Sequence, residues 1–101
     1  MASASPAVRL EQPRLVFFYS RVSGSCRRAE GFLAQVLQRR RNHGTFKLYR
    51  VERDDRPDLV ERFAVETLPT LVVVEGKAVR AKLERPRGCR DIESFLAPWL
   101  R

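Results

Sequence analysis

Leu15-Val16-Phe17-Phe18-Tyr19 is an unbroken apolar run inside the segment Arg14–Ser20. It is too short for a core helix and does not alternate with polar residues. Such a strand is covered on both faces, so other elements must lie above and below the sheet that holds it. The rest of the chain supplies them. Residues 23–42 carry Cys26, Ala29, Phe32, Leu33, Val36 and Leu37 at the spacing of one helical face, and His43-Gly44 ends that helix. Residues 46–52 predict a second strand with a mixed pattern. Pro57 starts a short helix at a favourable first position, with acids from Asp54 to Asp58 near its positive end, running to about Ala64. Thr70 to Glu75 is a strand, Gly76-Lys77 a turn and Ala78 to Leu83 its hairpin partner. Asp91 to Leu100 closes the chain as a helix packed by Ile92, Phe95, Leu96 and Trp99. The order β-α-β-α-β-β-α predicts an α/β fold, a three-layer α/β/α sandwich around a mixed four-stranded sheet.

Directly after the first strand, Ser23-Gly24-Ser25-Cys26 opens the long helix. A cysteine in a first helical turn has backbone N–H groups and the positive end of the helix dipole beside it, an arrangement that favours thiolate. Dithiol exchange needs a second sulfur three residues away, and that position holds Ser23. Ser23 also suits a helix N-cap, worth about 1 kcal/mol. Its use as a nucleophile would need a neighbouring base. The single histidine, His43, falls about 30 Å along the same helix at 1.5 Å per residue, which excludes a serine hydrolase.

This strand, turn and helix, with Thr67-Leu68-Pro69-Thr70 before the second apolar run, resemble the thioredoxin family over most of the chain. Where the family carries W-C-G-P-C, this sequence reads Val22-Ser23-Gly24-Ser25-Cys26. The resemblance matches Cys26 to the resolving cysteine, Ser23 to the attacking one and Val22 to the exposed tryptophan. It matches Phe17 to the buried acid of the first strand and Gly31 to the helix-kinking proline. Pro69 matches the cis-proline beside the active site, and Leu68 implies a backbone edge that docks an extended peptide. The resemblance implies a thioredoxin-like domain over residues 14–101, while the Ala/Ser content of residues 1–13 predicts a flexible lead-in, in which Val8–Leu10 is a candidate remnant strand.

Composition bounds the function. A chain of 101 residues with 44% hydrophobic content buries one core without disulfides. Two cysteines far apart, Cys26 and Cys89, do not form a disulfide framework, so a reducing, cytoplasmic setting is expected. No apolar run reaches membrane-spanning length. No cluster has metal-ligand spacing and no glycine-rich loop follows a strand, so neither metal nor cofactor is expected. Twenty Lys and Arg against twelve Asp and Glu give +8. The basic clusters are Arg27-Arg28, Arg39 to Arg41 and Arg85 to Arg90, and those at Arg39 to Arg41 complement a helix end.

The expected role is a protein- or peptide-binding module of the thiol/disulfide class without dithiol reductase turnover. Val22, Gly24, Ser25, Leu68, Pro69, Arg27, Arg28 and Arg85 are its candidate binding residues, Cys26 its candidate thiol and Ser23 the replacement for the attacking cysteine. The partner is a protein or peptide, acidic in one version. An alternative makes Cys26 a monothiol oxidoreductase whose mixed disulfide is resolved by an external thiol such as glutathione. Another is weak nucleic-acid binding through the basic surface, without a specific nucleic-acid partner. Cys89 reads as an incidental thiol or a distant resolving partner.

Overall fold

The computed structural model describes residues 12–39 and 44–100. Its elements are β1 (Arg14–Tyr19), α1 (Gly24–Gln38), β2 (Lys47–Glu52), α2 (Pro57–Arg62), β3 (Thr70–Glu75), β4 (Ala78–Glu84) and α3 (Cys89–Leu96). The strands form one sheet in the order β2-β1-β3-β4. β1 is parallel to β2, with Phe17 opposite Arg50, and antiparallel to β3, with Phe17 opposite Leu71. The parallel pair requires a crossover, which α1 provides. The antiparallel β3–β4 pair needs only a tight turn, made at Gly76 with φ 61°, where a side chain would be strained.

The two apolar strands at the centre are buried on both sides. Leu15, Phe17, Leu71 and Val73 face α1 and α3, meeting Ala29, Leu33, Val36, Ile92 and Leu96. Val16, Phe18, Val72 and Val74 face the other way, against Val65 and the partly buried Leu59, Val60 and Phe63 around α2. Burying a side chain of this size stabilises the fold by about 1.5–3 kcal/mol, so the sheet centre is its most secure part. β2 lies at an edge. Its residues 47–50 are exposed, and only Val51 and Glu52 are buried, which explains the mixed pattern read there.

Several boundaries differ from the sequence reading. α1 ends at Gln38, with Arg39 as its C-cap, paired 3.9 Å from Glu93 of α3. Arg39 therefore lies past the last helical turn. Arg40, Arg41, Asn42 and His43, where the helix end was expected, lie outside the described residues, as do Val8–Leu10 and the lead-in up to residue 11. Gln12 and Pro13 are tied down instead: Gln12 Nε2 donates to the Gly44 carbonyl and Lys47 N–H to the Pro13 carbonyl at 2.9 Å. α2 stops at Arg62 because Ala64 turns left-handed at φ 53°. α3 begins at Cys89, two residues early, and ends at Leu96. Trp99 follows it in a turn, held edge-on to Phe46 with its indole N–H donating to Glu75 at 3.0 Å.

Candidate functional site

β1 delivers the chain at Tyr19 into a short loop, and α1 begins at Gly24. The loop is closed by its own polar groups. Ser23 is the N-cap, and its Oγ accepts the Cys26 N–H at 3.3 Å and lies 2.9 Å from Ser25 Oγ. Ser23 N–H in turn donates to the Ser20 carbonyl at 3.1 Å. Ser20 N–H donates to Cys26 Sγ at 3.4 Å, and that thiol is 2% exposed. Cys26 is thus a small buried group whose sulfur accepts a backbone hydrogen bond. Both cysteines are free. Cys89, expected just before the last helix, instead opens α3 and donates to Gln35 Oε1 at 3.0 Å.

Glu52, at the end of β2, went unnoticed in the sequence. It is buried at 3% exposure and accepts Arg21 N–H at 3.0 Å and Asp54 N–H at 2.6 Å. The Arg21 guanidinium lies 3.7 Å from it and also pairs with Asp55 at 2.8 Å. The Arg21 N–H bond, followed by that of Asp54 and the guanidinium, holds the Glu52 carboxyl below the ordinary carboxylate value despite its burial. This carboxylate pins the loop between β1 and α1 to the end of β2. A single acid at a strand end carries no periodic signal, so only the fold shows its role.

Phe17 occupies the place where the resemblance puts a buried acid. It is 1% exposed and stacked on Tyr19 at 5.5 Å. A cleft of about 230 Å³ beside Tyr19 is bordered by Cys26, Arg21, Arg27, Glu30 and Arg50. Its acid, Glu30, is taken by Arg50 at 2.5 Å, and the Arg50 guanidinium stands 5.5 Å over the Tyr19 ring. No carboxylate among the described residues is hydrogen-bonded to Cys26.

On the other side of α1 lies an open groove of about 910 Å³. Ser25, Arg28 and Phe32 form its α1 wall, Leu68 and Pro69 its floor, and Arg85 and Arg87 the opposite wall. The Leu68–Pro69 bond is cis and Pro69 is buried. The groove thus unites Ser25, Arg28, Leu68, Pro69 and Arg85 of the candidate residues. Gly24 stands at the first helical position under the Arg28 guanidinium, whose Nη1 is 3.6 Å from where a Cβ on Gly24 would lie. Val22, 86% exposed, borders a separate hollow with Ser23, Val60, Val65 and Leu68. Arg27, expected to act with Arg28, borders the cleft on the opposite side, because adjacent residues on a helix point about 100° apart. Arg87, of the basic cluster Arg85 to Arg90, borders the groove as well, and Phe32 and Thr67 join it from outside the candidates. Thr67 Oγ1 is buried and has no hydrogen-bond partner among the described residues.

A central β1–β3 pair in a mixed sheet, with the start of α1 facing a proline loop, defines the thioredoxin-fold class. The chain belongs to the thioredoxin family, whose model matches residues 5–98. Among solved structures it resembles the germline-specific thioredoxin Deadhead of Drosophila melanogaster, with TM-score 0.78 and 17% identity over 97% of this chain and 90% of that one. Trxlp of Edwardsiella tarda gives 0.76 and 18% over 99% and 93%. Mitochondrial thioredoxin 3 of Saccharomyces cerevisiae, in its oxidized form, gives 0.72 and 14% over 95% and 88%. At these identities the likeness concerns the fold. No curated protein matches the sequence. Among the described residues no helix is long and apolar enough to cross a membrane, and no group of His, Cys, Asp and Glu is arranged to hold a metal ion.

Proposed function

We propose that this protein is a thioredoxin-fold module that binds an extended protein or peptide segment and does not perform dithiol disulfide reduction. The observation that carries the reading is the state of residues 23 and 26. Position 23 offers a hydroxyl already used as a helix cap, and the thiol at position 26 is buried with a backbone N–H on its sulfur. Disulfide reduction needs one accessible thiolate to attack and a second sulfur to release the mixed disulfide. Here the first is a serine and the second is covered. The burial of Cys26 also counts against the monothiol alternative, which requires the same sulfur to attack. The groove keeps what a binder needs, with Leu68 in its floor and Ser25 and Arg28 on its α1 wall. The free state of both thiols suits a reducing, cytoplasmic setting.

Nucleic-acid binding receives little support from the charge distribution. Arg21, Arg50, Arg53, Arg56 and Arg80 are each paired with an acid, at 2.8, 2.5, 3.4, 2.9 and 2.9 Å. Pairing of this kind shortens the reach of a positive field.

The test is turnover. With a dithiol donor the protein is expected to leave insulin disulfides intact at the background rate, and robust catalytic reduction would overturn the proposal. Ser23→Cys places a sulfur beside Cys26 and is expected to form an internal disulfide on oxidation with some recovered exchange. Failure to form it would remove the correspondence between Ser23 and an attacking cysteine.

A further inference from the structure

We infer that the groove between α1 and the β4–α3 loop selects an acidic side chain of the docked segment, with Arg85 as its main reader and Arg28 and Arg87 beside it. This rests on the peptide-docking reading above and adds the chemistry of the partner. The surface charge sorts into two kinds. Arg21, Arg50, Arg53, Arg56 and Arg80 are neutralised by neighbouring acids, and Arg39 pairs with Glu93. Arg28, Arg85 and Arg87, like Arg14, Arg27, Arg62 and Arg90, have no ion pair among the described residues, and these three stand together at one groove. Two acids border it as well. Asp91 is occupied in part by the Arg87 backbone N–H at 2.8 Å, and Glu84 ends β4. Three guanidiniums against two carboxylates leave the groove positive.

Two further observations sharpen this. The Arg28 guanidinium folds back over Gly24, the first residue of α1, and so stands at the positive end of the helix dipole. A cation there is unfavourable by itself, and an anion arriving in the groove would meet both sources of positive field. Arg85 has φ 51°, and its N–H donates to the Pro69 carbonyl at 2.7 Å. That left-handed conformation suits Gly or Asn and disfavours a residue with a long side chain. Backbone geometry therefore does not account for an arginine at this position, whereas a cation anchored through its backbone beside the docking edge does. In an extended peptide alternate side chains point to opposite sides. With the peptide backbone along Leu68, one set faces the hollow where Val22, Val60 and Val65 stand among Ser20, Ser23, Arg53 and Glu66, and the other faces the arginines. The fitting ligand is an extended segment alternating apolar and acidic residues.

The experiment uses a fluorescein-labelled peptide, Gly-Val-Glu-Val-Glu-Val-Gly, and the same peptide with both Glu replaced by Gln, in fluorescence anisotropy. The Glu peptide is expected to bind at least about fivefold more tightly, with the advantage shrinking between about 50 mM and about 500 mM salt. Arg85→Asn, which tolerates the left-handed backbone, is expected to remove that advantage without lowering the melting temperature. Arg85→Gly serves as the second variant should Asn prove unstable. Equal binding of the two peptides to the wild-type protein would overturn acid selection while leaving peptide docking in place. So would an Arg39→Ser effect as large as that of Arg85→Asn, because the charge would then be diffuse. Absence of binding by either peptide, or binding unaffected by Leu68→Pro, would overturn the docking reading itself.

Discussion

Two loops at the same end of the sheet are built in opposite ways. In the loop before α1, backbone and side chains satisfy one another: Ser23 caps Cys26, Ser20 N–H points at the Cys26 sulfur, and Glu52 holds Arg21 and Asp54. In the loop after β4 only the backbone is tied, Arg85 N–H to Pro69 and Arg87 N–H to Asp91, while the guanidiniums stay without ion pairs among the described residues. The first loop has spent its polar groups on holding its own shape, and the second presents its groups to whatever enters. Chemistry that needs an available atom therefore belongs to the second, although the family resemblance directs attention to the first.

The strongest way to break this contrast is to force the first loop open from beneath. Phe17→Asp would restore the residue type that the family resemblance expects, but the surroundings here are apolar. Phe17 is 1% exposed, stacked on Tyr19 and packed in the α1-side core. Losing the ring and burying a carboxyl without a partner is expected to cost at least about 3–5 kcal/mol, read as a large fall in the urea midpoint. An unchanged midpoint would mean that the space under the loop admits an ionisable group, and the closed-loop description would fail.

A milder test works through Glu52. Its folded-state pKa lies below its ordinary value of 4.5, with the Arg21 N–H bond as the first cause. The stability this carboxylate contributes is therefore fully present above about pH 4.5 and is lost as pH falls from there through the lowered folded value. Glu52→Gln is expected to be less stable than wild type at pH 7, with the difference narrowing as the buffer is taken down through that window. A difference that is the same at pH 7 and pH 3 would show that the side chain's shape, not its charge, holds the loop.

The same contrast explains what was legible in the sequence. Continuous apolar strands and helical stripes report burial directly, so Leu15 to Tyr19, Thr70 to Glu75 and the α1 face from Cys26 to Leu37 were readable from residue type and spacing. Motif spacing located Ser23, Cys26 and Pro69. Hydrogen bonds between distant residues leave no such trace. Glu52 sits 31 positions from Arg21, and nothing local to either marks the pair. Arg27 and Arg28 look alike in sequence, and only the helical rotation puts one in the groove and the other in the opposite cleft. Cys26 was the hardest to place, since the same first-turn position suits an activated thiolate or a buried thiol, and the choice depends on how the loop closes over it.

The smallest expected effect separates the stability of α1 from the groove it borders. Gly31 stands in mid-helix, at the position that the resemblance matches to a kinking proline, and a Cβ added there would meet nothing within 4 Å. Glycine inside a helix costs about 0.5–1 kcal/mol relative to alanine, because its unfolded chain has more freedom to lose. Gly31→Ala is therefore expected to raise stability by about that amount. It should leave the affinity for the acidic peptide unchanged, since Gly31 does not border the groove. Unchanged affinity with higher stability would show that the groove depends on where its side chains stand and not on slack in the helix. A loss of affinity would mean instead that α1 must bend at Gly31 to admit the peptide, and the rigid contrast between the two loops would give way to a moving wall.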